Sequence, residues 1–259
     1  METVTNALRK LVSQLDDVKH RRRTGLFMAE GDKCVADTAG NFVCRYLIAR
    51  KDWFNSSAAV TAKVSAEMCV EATAADMERM SRLTTPPRVI AVYEIPERQP
   101  DFAAMAQCLI VALDAVRDPG NLGTIIRLCD WMGVEDILAS SDCADLWSPK
   151  VIQATMGAVS RVRVHYCDLA ATLCDWPTPV RGTFLDGENI YSAPLGAAGV
   201  VVFGNEGRGI SDAVGATVSQ RLLIPSFPPG RKTSESLNVA TAAAITLAEF
   251  RSRQLRSRN

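Results

Sequence analysis

Short apolar runs alternate along the chain with stretches in which apolar residues recur at helical spacing. The N-terminal stretch carries Val4, Leu8, Leu11, Leu15 and Val18 on one helical face, which predicts an amphipathic helix. Further along, the pattern predicts strands at 26–29, 43–49 and 89–93 and helices at about 33–39 and 75–82. This part of the chain is therefore predicted to be a small α/β domain.

The second part of the chain repeats the order of strand, loop and helix. Asn121 is placed to cap a helix that buries Leu122 and Ile125, and Gly133 is placed to end it. Further helices are predicted at about 151–160 and 239–250, and strands at 108–113, 134–139, 162–166, 199–203 and 222–224. This alternation predicts a mostly parallel sheet, whose ligands bind beyond the carboxyl ends of the strands.

Two proline-rich polar stretches, 84–87 and 95–100, flank the strand predicted at 89–93. Stretches of this kind are typical of linkers, so we place a domain boundary near residue 98. With 259 residues, 47% of them apolar, the chain can fill two modest cores. The prediction is an N-terminal domain at 1–97 and a C-terminal domain at 98–259.

Charge is balanced over the whole chain, with 29 basic and 29 acidic residues, and so does not indicate a partner. One dense basic stretch stands out, Lys19-His20-Arg21-Arg22-Arg23. It is either a solvated helix face or a contact surface for RNA phosphates. Both interpretations remain open at this point.

Cysteine and histidine usage bears on metal binding and on cellular location. The eight cysteines include no C-x-x-C pair, and the chain has only two histidines, His20 and His165. This pattern predicts reduced thiols and no metal site.

The N-terminus lacks an apolar signal core, and no apolar run approaches the roughly 20 residues needed to cross a bilayer. We expect a cytoplasmic protein without a membrane segment.

Three loops that follow predicted strands carry the candidate chemistry, at 114–127, 204–209 and 224–238. The glycine-rich loop has the spacing G-x-x-G-x-G, which differs from the dinucleotide fingerprint. Glu206 within it would repel a pyrophosphate and favour a cationic or neutral ligand. Arg127 is a candidate partner for Glu206 or an ordinary surface charge. Ser236 is a candidate functional residue or simply a helix cap.

Together the three loops resemble the signatures of the SpoU (TrmH-type) RNA ribose methyltransferases of the SPOUT superfamily. The first signature, N-x-G-x-x-x-R, is present from Asn121 to Arg127. The second is Phe203-Gly204-Asn205-Glu206-Gly207-Arg208-Gly209, and the third combines Ile224-Pro225 with Ser236-Leu237-Asn238-Val239. Ser148-Pro149-Lys150 and Met156-Gly157-Ala158 are also similar to the family, so the resemblance covers residues of about 84–250. The first 95 residues more loosely resemble the ribosomal-protein-like domain with which many members hold RNA.

The resemblance implies a catalytic domain whose parallel sheet contains a trefoil knot, an S-adenosylmethionine cofactor and a homodimer that completes the site. By position it implies cofactor contacts from Gly204, Ile224, Pro225 and Leu237. The catalytic set that it implies is Asn121, Arg127, Glu206, Ser236 and Asn238. The third loop is longer than the usual form, and its Arg231 and Lys232 are expected to face RNA together with Arg21, Arg22 and Arg23.

The expected reaction is methyl transfer to a ribose 2′-hydroxyl, which needs no metal because the sulfonium methyl is already activated. An isolated arginine is a poor base, so Arg127 is expected to position RNA phosphate and stabilise the developing alkoxide, oriented by Glu206. The alternative role, Arg127 as general base, remains open.

The separate N-terminal domain favours ribosomal RNA of the large (23S-type) subunit as the substrate. The alternatives are a tRNA ribose methyltransferase and a non-catalytic RNA-binding protein of the same fold. The intact set Arg127, Glu206, Ser236 and Asn238 argues for an enzyme, because a degenerate binder is expected to have lost one of them.

Overall fold

The computed structural model describes residues 2–228 and 234–257. Arg231 and Lys232, which were expected to face RNA, lie outside these residues. The chain divides into two compact units. Unit 1 comprises Met1–Glu97 and Asp145–Ser160, and unit 2 comprises Arg98–Ala144 and Arg161–Asn259.

Unit 1 is built on a mixed five-stranded sheet in the order β1-β4-β3-β5-β2. The strands β1, β4 and β3 are parallel, whereas β5 is antiparallel to both β3 and β2. The strands predicted at 26–29, 43–49 and 89–93 correspond to β2, β3 and β5. The bounds are β1 (Glu2–Thr3), β2 (Leu26–Glu30), β3 (Cys44–Ala49), β4 (Cys69–Glu71) and β5 (Val89–Glu94).

Several helices of unit 1 begin at polar capping residues. Thr5 caps the first helix and Asp17 the second, so the apolar stripe from Val4 to Val18 is divided between two helices instead of one. Thr73 and Asp76 form a reciprocal capping box at a later helix. The helices are α1 (Asn6–Gln14), α2 (Val18–Thr24), α3 (Asp32–Thr38), α4 (Lys51–Ser56), α5 (Ala58–Thr61), α6 (Ala74–Met80) and, later in the chain, α9 (Pro149–Thr155), with 3-10 turns at Ala66–Met68 and Ala158–Ser160.

The segment Asp145–Ser160 packs within unit 1, although the linear division predicted from the sequence assigns it to the C-terminal domain. Its Trp147 ring lies 4.5 Å from the Phe27 ring, centroid to centroid, and contacts Phe42 at 6.0 Å. Phe27 is fully buried. The aromatic core of this unit is therefore completed by residues that follow far along the chain, which the spacing of prolines could not reveal.

Unit 2 contains a six-stranded sheet in the order β11-β9-β10-β6-β7-β8. Every neighbouring pair is parallel, which confirms the parallel sheet predicted from the alternation of strands and helices. The central strands β10 and β6 are buried along their whole length. The bounds are β6 (Leu109–Leu113), β7 (Asp136–Ser140), β8 (Arg163–Cys167), β9 (Val180–Asn189), β10 (Gly199–Phe203) and β11 (Gln220–Leu223).

Helices flank this sheet, and the C-terminal helix packs against the helix that follows β6. Arg251 of the C-terminal helix donates from Nε to Met132 O at 2.6 Å, just past the end of the helix that follows β6. The helices of unit 2 are α7 (Phe102–Met105), α8 (Pro119–Trp131), α10 (Leu169–Cys174), α11 (Asp212–Gly215) and α12 (Val239–Arg256). None of the helices within the described residues is both long and apolar enough to cross a membrane.

Two sequence-based expectations for unit 2 are corrected by the structure. Helix α8 begins at Pro119 and is capped by Asp118, whose side chain accepts from the Asn121 amide at 2.8 Å. Asn121 is therefore not the cap, and its side chain is available for other contacts. The ten-residue strand β9 was not predicted, because its second half is polar and exposed and lacks an apolar run.

Candidate active site

The three candidate loops follow β6, β10 and β11, whose carboxyl ends lie at the same edge of the parallel sheet. The main chain ties two of these ends together, because the amide of Asp114 donates to Phe203 O at 2.9 Å. The buried Asp114 carboxylate in turn accepts from the Ser211 amide at 2.7 Å. The loops after β6 and β10 are thus held at fixed positions.

A chain of side-chain hydrogen bonds joins all three loops. Asn238 donates from Nδ2 to Asn121 Oδ1 at 2.9 Å, and Asn121 donates from Nδ2 to Glu206 Oε1 at 2.7 Å. Asn205 donates to the other carboxylate oxygen of Glu206 at 3.3 Å. At least one residue of each sequence signature therefore takes part in a single network of amide and carboxylate side chains.

The loop after β10 closes on itself through its backbone. Asn205 and Gly209 exchange two amide–carbonyl hydrogen bonds of 2.9 Å, and the Asn205 side chain accepts from the amides of Gly207 and Arg208. A Cβ added to Gly204 would lie 2.1 Å from the Gly209 carbonyl carbon, so this position tolerates only glycine. The tight turn fixes where the Glu206 carboxylate points.

The third loop enters helix α12 through Asn238, whose side chain accepts from the amides of Ala240 and Thr241 at 3.0 and 3.2 Å. The sequence offers Ser236 as a possible helix cap, but the structure assigns the cap to Asn238. Ser236 and Leu237 are exposed immediately before it, and the Leu237 side chain is 47% exposed. Ile224 and Pro225 follow β11 and are half-buried.

Arg127 is exposed on α8 and makes no side-chain hydrogen bond or ion pair with any of the described residues. It lies six residues beyond Asn121, a rotation of about 240° and a rise of about 9 Å along the helix. Glu206, expected to orient Arg127, instead accepts from Asn121 and Asn205. The pairing of Arg127 with Glu206 is therefore not present in this chain.

An open cavity of about 330 Å³ lies beside these loops. It is lined by Asp114, Ala115, Arg117, Asp142, Asn205, Arg208, Gly209 and Ser211. Arg117 donates to Asp142 at 2.8 Å, and the Ser140 hydroxyl donates to Asp142 at 2.7 Å. These hydrogen bonds hold the pKa of Asp142 below its usual range, and the bond from Ser140 has the largest effect. Sequence reasoning missed Asp114 and Asp142, although both follow strand ends.

The structure corrects one of the predicted RNA contacts in unit 1. Arg21 is 3% exposed and its guanidinium donates to Leu15 O, Asp16 O and Asp145. A side chain committed in this way supports the fold and cannot reach RNA. Arg22 and Arg23 are exposed, and Arg23 contacts His20 Nδ1 at 2.8 Å.

Comparison with family models matches residues 108–248 to the SpoU rRNA Methylase family and residues 6–91 to the MRM3-like substrate binding domain. The chain belongs to the SpoU rRNA methylase family. The network of Asn238, Asn121 and Glu206 thus lies within the SpoU-matched region.

Relatives of the whole chain are known. The SpoU chain is 27% identical to the 23S rRNA (guanosine(2553)-2'-O)-methyltransferase RlmP of Bacillus subtilis (strain 168), over 97% of its own length and 98% of the relative. A structure of a TrmH-family protein from Porphyromonas gingivalis is 36% identical, with a TM-score of 0.85, covering 97% of this chain and 99% of that one. An AdoMet-bound rRNA methyltransferase structure from Sinorhizobium meliloti is 29% identical, with a TM-score of 0.84, covering 98% and 97%.

Replacing Glu206 by glutamine is expected to disturb the network even though the two side chains have the same shape. Both carboxylate oxygens accept from amide donors, whereas glutamine offers one acceptor and one donor, so it turns a donor toward Asn121 or Asn205. We expect a loss of methyl transfer of about tenfold to 100-fold, since a hydrogen bond to a charged group contributes about 1.5–3 kcal/mol.

The matched control for this prediction is Glu188→Gln, at an exposed glutamate of the same unit whose side chain accepts a hydrogen bond from Gln220. Single-turnover transfer at saturating cofactor and RNA measures the effect. Equal rates for Glu206→Gln and the wild type would contradict a role for the network.

Proposed function

We propose that this protein transfers a methyl group from S-adenosylmethionine to a ribose 2′-hydroxyl of ribosomal RNA. The observation that carries the proposal is the network of Asn238, Asn121 and Glu206, which brings the three SpoU signatures together at one sheet edge. The similarity over nearly the full length to a 23S rRNA 2'-O-methyltransferase supports the substrate class.

The cofactor is proposed to bind among the backbone groups after β10 and β11 and before α12, which involves Gly204, Ile224, Pro225 and Leu237. The residues fit such a ligand: Gly204 has no room for a side chain, and the apolar Leu237 side chain is exposed rather than packed. S-adenosylmethionine supplies an activated methyl group on a sulfonium centre. The AdoMet-bound structure from Sinorhizobium meliloti supports this assignment.

Catalysis is proposed to depend on positioning and on charge. Asn121, Glu206 and Asn238 hold one another, and together with Ser236 they orient the ribose toward the methyl group. The 2′-oxygen would lose its proton, to water or to Arg127, and would gain the methyl group as the bond between that group and sulfur breaks. In the first case Arg127 stabilises the negative charge that develops on the oxygen before the transfer is complete. Its lack of an ion pair within the described residues leaves the guanidinium available for either role.

A homodimer is proposed to complete the site, and the position of Arg127 supports this. Arg127 and Trp131 are four residues apart and share one face of α8. Trp131 is 86% exposed, a large apolar area for a side chain to leave in water. A second copy packed on this face would bury Trp131 and receive Arg127 at its own ribose site.

Unit 1 is proposed to hold the RNA, in agreement with its match to a substrate binding domain. Arg22 and Arg23 remain candidates for phosphate contacts, as do Arg231 and Lys232. The match over almost the whole length to an rRNA-modifying relative favours ribosomal RNA over tRNA. Retention of the complete set Arg127, Glu206, Ser236 and Asn238 favours an enzyme over a non-catalytic RNA-binding protein.

Two further parts of the proposal concern topology and location. The trefoil knot implied by the family would form where the chain passes from β11 to α12, a path that includes residues outside the described range. A cytoplasmic location is supported by the eight cysteines, all of them free thiols.

The proposal is tested by mapping ribose methylation in total RNA from cells with and without this protein, followed by transfer in vitro. One ribosomal RNA nucleotide is expected to lose its 2′-O-methyl group in the deletion strain. The purified protein should restore it with S-adenosylmethionine in the presence of a chelator. Loss of a tRNA methyl group would instead establish the tRNA alternative, and no change in any RNA would contradict the proposed activity.

A further inference from the structure

A buried arginine lies at the edge of the unit 2 sheet opposite to the candidate active site. Arg181 is the second residue of β9 and is only 4% exposed. Its Nε donates to Gln220 Oε1 at 3.0 Å and its Nη1 to Ala198 O at 3.3 Å. The guanidinium also lies over the Phe250 ring at 5.6 Å. These contacts hold the side chain in one orientation.

The charge of Arg181 has no counter-ion within the described part of the chain. No carboxylate lies within ion-pair distance of it there, and its Nη2 makes no hydrogen bond to those residues. Burial lowers its pKa, the direction expected for a cation taken out of water without a partner. Uncompensated buried charge is costly, so natural proteins normally pair it.

Arg181 lines an open cavity of about 760 Å³. Its other lining residues are Pro179, Pro194, Leu195, Gly196, Ser219, Gln220 and Arg253. Gly196 is exposed at the rim, and a Cβ built there would lie 3.5 Å from Arg181 Nη2. The unused Nη2 group of the guanidinium therefore lies close to an exposed position of the cavity wall.

A second arginine contributes positive charge to this cavity. Arg253 donates to Glu249 at 2.7 Å and to the carbonyls of Ile190 and Ala193, so its charge is partly compensated. Glu188 accepts from Gln220 Nε2 at 3.1 Å. Arg181 remains without a carboxylate among the described residues. Ser219 also lines the cavity, but its hydroxyl donates to Val180 O at 3.0 Å.

We propose that this cavity is a phosphate-binding site, formed by the guanidiniums of Arg181 and Arg253. The planar guanidinium fork matches the geometry of phosphate oxygens, and a phosphate would supply the charge that Arg181 lacks. The cavity lies at the amino ends of β9, β10 and β11, whereas the candidate active site lies at their carboxyl ends. It is therefore separate from the candidate active site.

The phosphate has two possible sources, a phosphodiester of the substrate RNA and a free phosphate-bearing small molecule. Both share the chemistry that the two arginines recognise. The alternative to the proposal is a purely structural role, in which Arg181 joins β9, β11 and α12 and binds nothing.

Position 196 offers a matched pair of variants. Gly196→Asp places a carboxylate beside Arg181 Nη2, where it would occupy the place of the phosphate, and Gly196→Ala adds only the Cβ. A Cβ at this position makes ordinary contacts, and Gly196 is exposed, so both variants are expected to fold. Arg181 itself stays intact in both.

Titration calorimetry with inorganic phosphate at constant ionic strength is the primary measurement. Saturable binding is expected for the wild type and for Gly196→Ala, with a loss of at least about tenfold in affinity for Gly196→Asp. Gly196→Asp should also melt at a higher temperature than Gly196→Ala in phosphate-free buffer, because its carboxylate pairs with Arg181. A Gly196→Asp variant that lost phosphate binding through misfolding would melt at a lower temperature. The melting temperature therefore distinguishes misfolding from occupation of the phosphate site by the carboxylate.

Binding of the substrate RNA by the two variants identifies the source. If the phosphate belongs to RNA, Gly196→Asp should lower RNA affinity and reduce the log–log salt slope by roughly 0.7–0.9, the value of one contact. If RNA binding is unchanged while inorganic phosphate binding is lost, the ligand is a free small molecule. Absence of saturable phosphate binding by the wild type, or equal binding by Gly196→Asp, would overturn the proposal. None of these measurements depends on methyl transfer.

Discussion

Alanine at position 127 is expected to lower the single-turnover rate of methyl transfer by about 100–1000-fold, while the affinity for S-adenosylmethionine stays nearly unchanged. Loss of a charged group that stabilises a developing oxyanion typically costs about 2.7–4 kcal/mol. Arg127 lies on a helix separate from the loops proposed to hold the cofactor, and it makes no ion pair within the described residues that its loss would disturb. The effect should therefore fall on the chemical step.

Lysine at the same position should restore little of the activity, because an ammonium group cannot present the planar fork that a phosphate meets bidentately. Arg161→Ala is the matched control, since Arg161 is an exposed arginine of the same unit, paired with Asp130 on α8. It is expected to transfer methyl at the wild-type rate. A near wild-type rate for Arg127→Ala would show that Arg127 is an ordinary surface residue.

Mixing two impaired variants tests whether Arg127 serves the partner's site in the proposed homodimer. If it does, refolding Arg127→Ala together with Glu206→Gln restores about one intact site in four in a random mixture of dimers. If Arg127 acts within its own chain, every mixed dimer remains impaired at both sites. The amide network favours a role in the partner's site, because Glu206 accepts hydrogen bonds from Asn121 and Asn205 and none from Arg127 of its own chain.

Arg21→Ala is expected to destabilise unit 1 by about 3 kcal/mol. Removal of one member of a buried ion pair costs about 3–5 kcal/mol, and the partly exposed Asp145 can regain water, which places this case at the lower end. The carbonyls of Leu15 and Asp16 also lose their donor. Native-state hydrogen exchange of unit 1 amides measures the loss locally.

Arg22→Ala is the control for this second prediction, because Arg22 is its exposed neighbour on the same helix. It should leave hydrogen exchange unchanged and affect only RNA binding. Equal protection in Arg21→Ala and the wild type would mean that the buried guanidinium contributes nothing to the fold.

The sequence predicts much of the fold, because its core strands are continuous apolar runs. The strand at 199–203 coincides with β10, and the parallel sheet follows from the alternation of elements. Strand β9 could not be predicted, because its pairing with β10 and β11, rather than an apolar pattern, defines it. The stripe from Val4 to Val18 is interrupted because Asp17 caps a new helix.

The order of strands and loops in the sequence also predicts that the three signatures meet at one edge of the sheet. It does not predict which of their side chains form hydrogen bonds with one another. Asn121 proved to be a donor to Glu206 instead of a helix cap, since Asp118 takes the capping role three residues earlier. The basic stretch illustrates the same limit. Arg21 and Arg22 are adjacent and identical in type, and only the helix phase decides that one is buried and the other exposed.

The inclusion of Asp145–Ser160 in unit 1 has a consequence for synthesis on the ribosome. When residue 97 has left the exit tunnel, Arg21 still lacks Asp145 and the Phe27 ring still lacks Trp147. Unit 1 can complete its core only after residue 160 emerges, by which time β6, α8 and β7 of unit 2 have already been made. During synthesis, unit 1 therefore remains incompletely packed while unit 2 begins to form. A truncated chain that starts at residue 98 would contain Asp145–Ser160 without the residues against which this segment packs.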